Sequence, residues 1–305
     1  MTDAPIAVGL MAGGDPRRAA ALEALPIDSL WVGGHVASRN PSPEAMAALA
    51  QLCAVTERVT IGTAVLLLPL YAPAIVAKQI ADLDHETGGR ITLGVGVGGE
   101  YPQEFRACGV PVEERGPRTD EAIPLIRQLW SGEPTTHDGR FYPMRDVRIQ
   151  PAPLQADGPP IIVAGRKGPA LRRVALLGDG WIPYLCSPRL YAESAERIRA
   201  MAADAGRDLT RFGWHVFVFV SIDADGRRAR EAAARFLGGT YDQDFGVMVD
   251  NVTASGTVDD VVDRLCAFID AGARHLVLCP AGDRSAAIDR LAREVIPRVR
   301  AHTPA

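Results

Sequence analysis

Residues 59–99 read VTIGTAVLLLPLYAPAIVAKQIADLDHETGGRITLGVGVGG. The stretch opens on an apolar run rich in β-branched residues (59–65), passes Pro69 and Pro73 into a helical pattern (73–86), and returns after Gly88 to a second apolar run (91–97). Proline near a helix start fits its fixed φ and missing donor, and glycine just past a helix end takes the left-handed cap at low cost. Two apolar runs joined by a helix read as a βαβ unit, whose strands run parallel and are covered on both faces.

The same unit repeats in both directions. Strands are expected at 6–11, 29–32, 59–65, 91–97, 161–164, 180–184, 215–222 and 275–279. Helical patterns lie at 15–24, 43–55, 73–86, 119–130, 169–177, 188–205, 226–237, 258–271 and 285–299. Eight such strands in 305 residues point to the α/β class and to a single-domain (β/α)8 TIM barrel over residues 1–305, with insertion segments at the C-terminal face. One insertion is expected at 132–160, rich in proline and turn residues with two short β-like pieces. A second irregular stretch, 238–256, is expected to form a lid over the barrel mouth.

Hydrophobic residues make up 47% of the chain and charged residues 23%, which fits a globular protein with an ample core. The net charge of -4 provides no global field for nucleic acid or an anionic membrane. Asp3 precedes any basic residue at the N-terminus, the reverse of a secretory signal, and the chain is read as cytoplasmic. No apolar run approaches the roughly 20 residues that span a bilayer. Cys53, Cys108, Cys186, Cys266 and Cys279 are widely spaced without a CxxC, so neither a disulfide framework nor a metal site is expected. The absence of HExxH, GxSxG and GxxxxGK[ST] excludes the corresponding zinc proteases, α/β-hydrolases and P-loop enzymes.

Three places carry chemistry. Gly94, Gly96 and Gly99 satisfy GxGxxG, but a dinucleotide fingerprint belongs in the first βα turn. Here the glycines follow the fourth strand, and Pro102 is read as interrupting the helix that should come next. Close packing of a barrel strand and approach of backbone to a ligand both remain open. The run 161–169 is a strand ending in Gly165, Arg166, Lys167 and Gly168, with a helix opening at Pro169; such a helix N-terminus with adjacent cations suits a phosphate. His35 follows the second strand, placing a neutral-pH acid or base at the same mouth. His85 closes a helix beside Asp82, Asp84 and Glu86, whereas His137, His215, His275 and His302 have no convincing partner set in the sequence.

The runs 59–65, 71–79 and 88–98 resemble the bacterial luciferase-like superfamily of flavin and deazaflavin oxidoreductases. The likeness continues in order through Glu114-Arg115-Gly116, Asp120-Glu121-Ala122, Leu129-Trp130-Ser131-Gly132, Gly139-Arg140-Phe141-Tyr142, Pro159-Pro160-Ile161 and Gly178-Asp179-Gly180-Trp181. It covers most of the chain. The resemblance implies a homodimeric (β/α)8 barrel that holds coenzyme F420 or FMN at its mouth and acts on a small molecule. In the family the third strand ends in a non-prolyl cis peptide behind the cofactor ring, which matches Thr63, Ala64 and Val65 with the cis bond at Ala64–Val65. The family's glycine turn matches Gly96, Gly98 and Gly99, and its phosphate loop matches Ala164, Gly165, Arg166, Lys167 and Gly168.

His35 aligns with a family histidine at the reacting edge of the ring. The carboxylate that commonly precedes that histidine is Gly34 here, which removes one route to a raised imidazole pKa. Glu100 resembles an acidic residue of the F420-dependent branch and is the second proton-transfer candidate; a plain helix N-terminal charge is its other reading. The resemblance leans toward F420-dependent hydride transfer with a small organic substrate. FMN-dependent monooxygenation with O2 is the alternative, and a cofactor-binding protein without turnover is a third. Trp31, Tyr71, Trp181, Tyr184, Tyr241 and Phe245 are expected either to line an apolar pocket or to pack the core.

Overall fold

The β-branched and apolar runs form strands because both of their faces find cover, one inside a cylinder and the other beneath helices. In the computed structural model, which describes residues 5–13 and 15–303, the eight barrel strands are Ala7–Met11, Ser29–Val32, Thr60–Thr63, Ile91–Gly96, Ile161–Ala164, Gly180–Ile182, Gly213–Ile222 and His275–Pro280. They pair in chain order, all parallel. The eighth strand returns to the first in the register Ala7↔His275 through Leu10↔Leu278, which closes the barrel.

Two boundaries differ from expectation. The third strand stops at Thr63 rather than at residue 65. The Ala64–Val65 peptide is cis, and the chain resumes pairing only at Leu66–Leu67, against Val95 and Gly96. The second difference is the stretch 238–256, which is less irregular than its composition suggests. The helix Gly226–Tyr241 runs into it, a short helix Val249–Val252 follows, and Thr253–Gly256 pairs with the end of the seventh strand. The insertion at 132–160 holds the antiparallel pair Thr135–His137 and Met144–Val147. Its turn is pinned by Glu121, which accepts from the Phe141 and Tyr142 amides and faces His137 Nε2 at 3.3 Å. His137 thus has a partner that its sequence neighbours did not disclose, as does His302, whose Nε2 lies 2.7 Å from Asp270.

Trp31 fills the barrel axis. It is fully buried, between Gly9 and Gly62, whose missing side chains leave room for the indole. Its Nε1 donates to Ser29 Oγ at 2.7 Å, and Ser29 Oγ lies 2.6 Å from His275 Nε2. His275 stacks on His215 at 4.6 Å between centroids, and each imidazole meets the Trp31 ring edge-on at 5.6 Å. The two histidines that lacked partners in the sequence therefore form one buried layer with Ser29 and Trp31. Among the described residues no helix is long and apolar enough to cross a membrane, and no cluster of His, Cys, Asp and Glu is arranged to hold a metal.

Burial favours the neutral ring, which lowers the His215 pKa to about 4 and pushes that of His275 well below its ordinary value. In the unfolded chain His215 takes up a proton near 6.5, whereas in the fold it resists protonation until about pH 4. Between those values the unfolded state holds a proton that the native state does not. Stability is therefore full above pH 6.5 and falls with acidification by about 1.4 kcal/mol per pH unit for this ring. The urea midpoint should drop steadily from pH 6.5 to 4.5, and His215→Phe should flatten that slope. An equal slope in the variant refutes the assignment.

Candidate functional site

Because all eight strands run the same way, the loops after them share one rim. Thr63, at the end of the third strand, does not reach that rim. It is fully buried, and its hydroxyl donates to the Gly94 carbonyl at 2.6 Å, tying the third strand to the fourth. Ala64 and Val65 come next, half-buried on the apolar cluster of Trp31, Ile162, Ile182 and Val277, and Met11, Ala164 and Phe217 pack on the same cluster. These residues make an apolar floor across the mouth. Gly96 joins its parts: a Cβ there would lie 2.7 Å from Val65 Cγ2 and 3.8 Å from Ala164 Cβ.

Gly98 and Gly99 continue the fourth strand with φ values of 62° and 118°, a turn that side chains other than glycine rarely adopt. The turn sets Glu100 at the rim, where its carboxylate accepts from the Tyr184 hydroxyl at 2.9 Å. Pro102 does not interrupt a helix here. It begins one, Pro102–Ala107, at the position where a missing N–H is harmless.

The fifth strand ends at Ala164. The Gly165 carbonyl is held by Trp181 Nε1 at 2.7 Å, and Arg166 donates to the Leu185 carbonyl with its guanidinium 5.7 Å from the Tyr184 ring centroid. Lys167 and Gly168 are exposed. The helix Gly168–Leu177 starts without any side-chain cap, whereas Ser187, Asp225 and Thr257 cap the helices that follow them. Uncapped N–H groups and two adjacent cations fit an anionic tail such as the phosphate of a flavin or deazaflavin nucleotide.

His35 has a carboxylate partner after all, and it comes from a distance. Both oxygens of Glu104, 69 residues on in the helix Pro102–Ala107, lie 3.3 Å from His35 Nδ1, and the Val36 amide donates to Glu104 Oε2 at 3.3 Å. Glu104 is fully buried. Tyr101 sets its ring against the imidazole edge-on, with centroids 4.9 Å apart at 85°. Position 34 has no room for a side chain, because a Cβ there would stand 1.9 Å from the Pro43 carbonyl oxygen. Glu104 and Tyr101 went unrecognised in the sequence: a glutamate in a helix that was not anticipated carries no local pattern.

The expected aromatic residues divide between core and rim. Trp31 and Trp181 are buried in the barrel, Trp181 stacking on Tyr191 at 4.7 Å, and the Tyr71 hydroxyl is spent on Glu44. Tyr184 and Tyr241 reach the rim, and Phe245 is buried beside them with Leu185, Phe219, Leu237, Val252 and Ala281. The end of the helix Gly226–Tyr241 is fastened across the mouth. Asn40 Nδ2 donates to the Gly239 carbonyl and the Tyr101 hydroxyl to the Thr240 carbonyl, each at 2.8 Å, and Arg39 pairs with Asp242.

A parallel barrel with an apolar floor, an uncapped cationic helix start and a carboxylate-backed histidine on one rim defines a cofactor-dependent barrel enzyme as the class. Residues 15–275 match the family described as luciferase-like monooxygenase, and the chain belongs to that family as one of its oxidoreductases. It is similar to an F420-dependent glucose-6-phosphate dehydrogenase of Beutenbergia cavernae, 34% identical over 305 residues, covering 90% of this chain and 89% of that one. It is also similar to 4-hydroxyprotoasukamycin monooxygenase of Streptomyces nodosus subsp. asukaensis, 33% identical over 218 residues, which cover 68% of this chain and 57% of the other. A solved F420-dependent secondary alcohol dehydrogenase, in complex with an F420-acetone adduct, shares the fold with a TM-score of 0.86 at 22% identity over 97% of this chain and 99% of that one.

The crowding at position 34 yields a test. Gly34→Asp, which places a carboxylate next to His35 in the chain, should destabilise the protein by roughly 2 kcal/mol or more in urea unfolding, because the backbone of Pro43 blocks the new side chain. A variant of unchanged stability would show that the loop yields.

Proposed function

We propose that the chain is a coenzyme F420-dependent oxidoreductase that moves a hydride between the deazaflavin and a small organic substrate. The observation that carries this reading is the buried Glu104 carboxylate behind His35, at the edge of the floor made by Ala64 and Val65. An ionised carboxylate only accepts hydrogen bonds, so it holds the imidazole as the Nδ1–H tautomer. That leaves the Nε2 lone pair, which has no partner among the described residues, free to take a proton.

When bound, F420 supplies the hydride chemistry; the protein supplies position and proton handling. In the direction of substrate oxidation, a hydride leaves the carbinol carbon and the hydroxyl proton goes to His35 Nε2. Glu104 then stabilises the imidazolium. In the reverse direction the same nitrogen returns the proton. Arg166, Lys167 and the helix start at Gly168 are suited to the phosphate, Gly96, Gly98 and Gly99 to close approach of backbone, and Ala64–Val65 to backing the ring. Glu100, bound to Tyr184, is the second carboxylate of the rim. A homodimer of such barrels working in the cytoplasm belongs to the same reading. The second reading, FMN-dependent oxygenation with O2, is favoured by the likeness to the Streptomyces monooxygenase.

Titration of the purified protein with F420 and with FMN separates the two: F420 should bind more tightly, and tighter FMN binding with substrate-dependent oxygen uptake would defeat the first reading. Arg166→Ala should weaken cofactor binding by about tenfold while changing single-turnover hydride transfer far less; an unchanged Kd removes the phosphate role. Glu104→Gln should slow single-turnover hydride transfer by about a hundredfold with the cofactor Kd unaltered, and full activity in this variant would dismiss the carboxylate–histidine pair.

A further inference from the structure

The cationic loop after the fifth strand leans on one neighbouring segment, residues 181–185 at the end of the sixth. Trp181 Nε1 donates to the Gly165 carbonyl at 2.7 Å, and Arg166 Nη1 donates to the Leu185 carbonyl. The Arg166 guanidinium also lies 5.7 Å from the centroid of the Tyr184 ring, within the range of a cation–π contact. Leu185 offers its carbonyl from a left-handed backbone, with a φ of 49° that a bulky side chain rarely adopts. Its side chain is buried with Phe219, Leu237 and Phe245, and that packing offsets the unfavourable conformation.

Both groups that hold the guanidinium are neutral. Arginine has five N–H donors, the Leu185 carbonyl takes one from Nη1, and no carboxylate lies within ion-pair distance of Arg166 among the described residues. The half-buried cation is therefore oriented without being neutralised, which is the state that suits an incoming anion.

Tyr184 is tied in turn to the glycine turn after the fourth strand, where its hydroxyl donates to Glu100 Oε1 at 2.9 Å. Burial and the Glu100 charge raise the Tyr184 pKa, so the phenol keeps its proton and remains the donor at neutral pH. The Glu100 charge by itself repels a nearby anion, so any benefit it brings to anion binding runs through Tyr184. Three consecutive βα loops are thus linked in series, from Glu100 to Tyr184 to Arg166.

We propose that Tyr184 is a positioning residue for the cofactor phosphate: anchored by Glu100, it holds the Arg166 guanidinium in the orientation that takes the anion. The inference rests on the phosphate role given to Arg166 above, and it gives Glu100 a task at the tail of the cofactor.

Dissociation constants are measured by fluorescence titration for two pairs of ligands, FMN with riboflavin and F420 with the deazaflavin chromophore that lacks the phosphate tail. The pair that the protein binds is used. Within a pair, the ratio of the two Kd values isolates the tail, and a general loosening of the fold leaves that ratio unchanged. Tyr184→Phe should reduce the preference for the phosphate-bearing member by about three- to tenfold, while the Kd of the phosphate-free member moves by less than about twofold. Competition by inorganic phosphate should weaken by a similar factor. Tyr184→Leu, which removes the ring face as well, should reduce the preference at least as far. Added to Glu100→Ala or to Arg166→Ala, Tyr184→Phe should change the preference by less than about twofold, because the series is already broken. An unchanged preference in Tyr184→Phe overturns the proposal, as does an equal loss for both members of the pair or a full effect of Tyr184→Phe in the Arg166→Ala background. Failure of the F420 reading shows separately, as a protein that binds FMN and not F420, on which the flavin pair still runs the test. A protein that binds neither pair overturns both.

Discussion

The pairing of the eighth strand with the first is the interaction on which the site depends. It closes the cylinder, and closure forces every parallel strand to end on the same rim. Loops that are far apart in the chain, after Val32, Thr63, Gly96, Ala164 and Ile182, become neighbours for that reason alone. Closure also demands that the interior be filled. Here one large indole fills it, with glycines beside it and a layer of two neutral imidazoles and a serine in contact with it. The same indole underlies Ala64 and Val65, so the packing that stabilises the barrel also supports the floor of the mouth.

The Glu104–His35 pair shows how a buried carboxylate is fitted onto that frame. A carboxylate removed from water is costly unless its lone pairs are occupied. Glu104 meets that requirement with the Val36 amide and His35 Nδ1, both from the loop after the second strand. The loop folds so tightly that Pro43 crowds Gly34, and a side chain next to the histidine would have to displace that backbone. The same electrostatic partner is thus delivered from the helix after the fourth strand. Asn40, from the loop after the second strand, and Tyr101, from the turn after the fourth, donate to the Gly239 and Thr240 carbonyls, so both segments are tied to the end of the helix Gly226–Tyr241.

Much of the fold could be read from periodicity. All eight barrel strands fall where apolar runs are bounded by glycine and proline, because burial on both faces writes itself into consecutive residues. The errors lie where local preference is overruled. Pro102 reads as a breaker but is equally at home as the first residue of a helix, and the helix it opens is the one that carries Glu104. The polar, glycine-containing stretch 238–256 reads as loop, yet part of it pairs with the long seventh strand, whose free edge supplies hydrogen bonds that no local pattern announces. Thr63 shares a motif with Ala64 and Val65 but alternates to the opposite face, toward Gly94.

The amino-acid sequence by itself determined the alternation of strand and helix, the glycine turn at 96–99 and the cationic loop at 164–168, because each follows from side-chain periodicity or backbone freedom within a few residues. Only the tertiary structure decided that Glu104 stands behind His35, that His215 stacks on His275, and that Tyr184 binds Glu100. Those contacts join residues from different βα units, and their distances are set by the circumference of the closed barrel rather than by spacing along the chain.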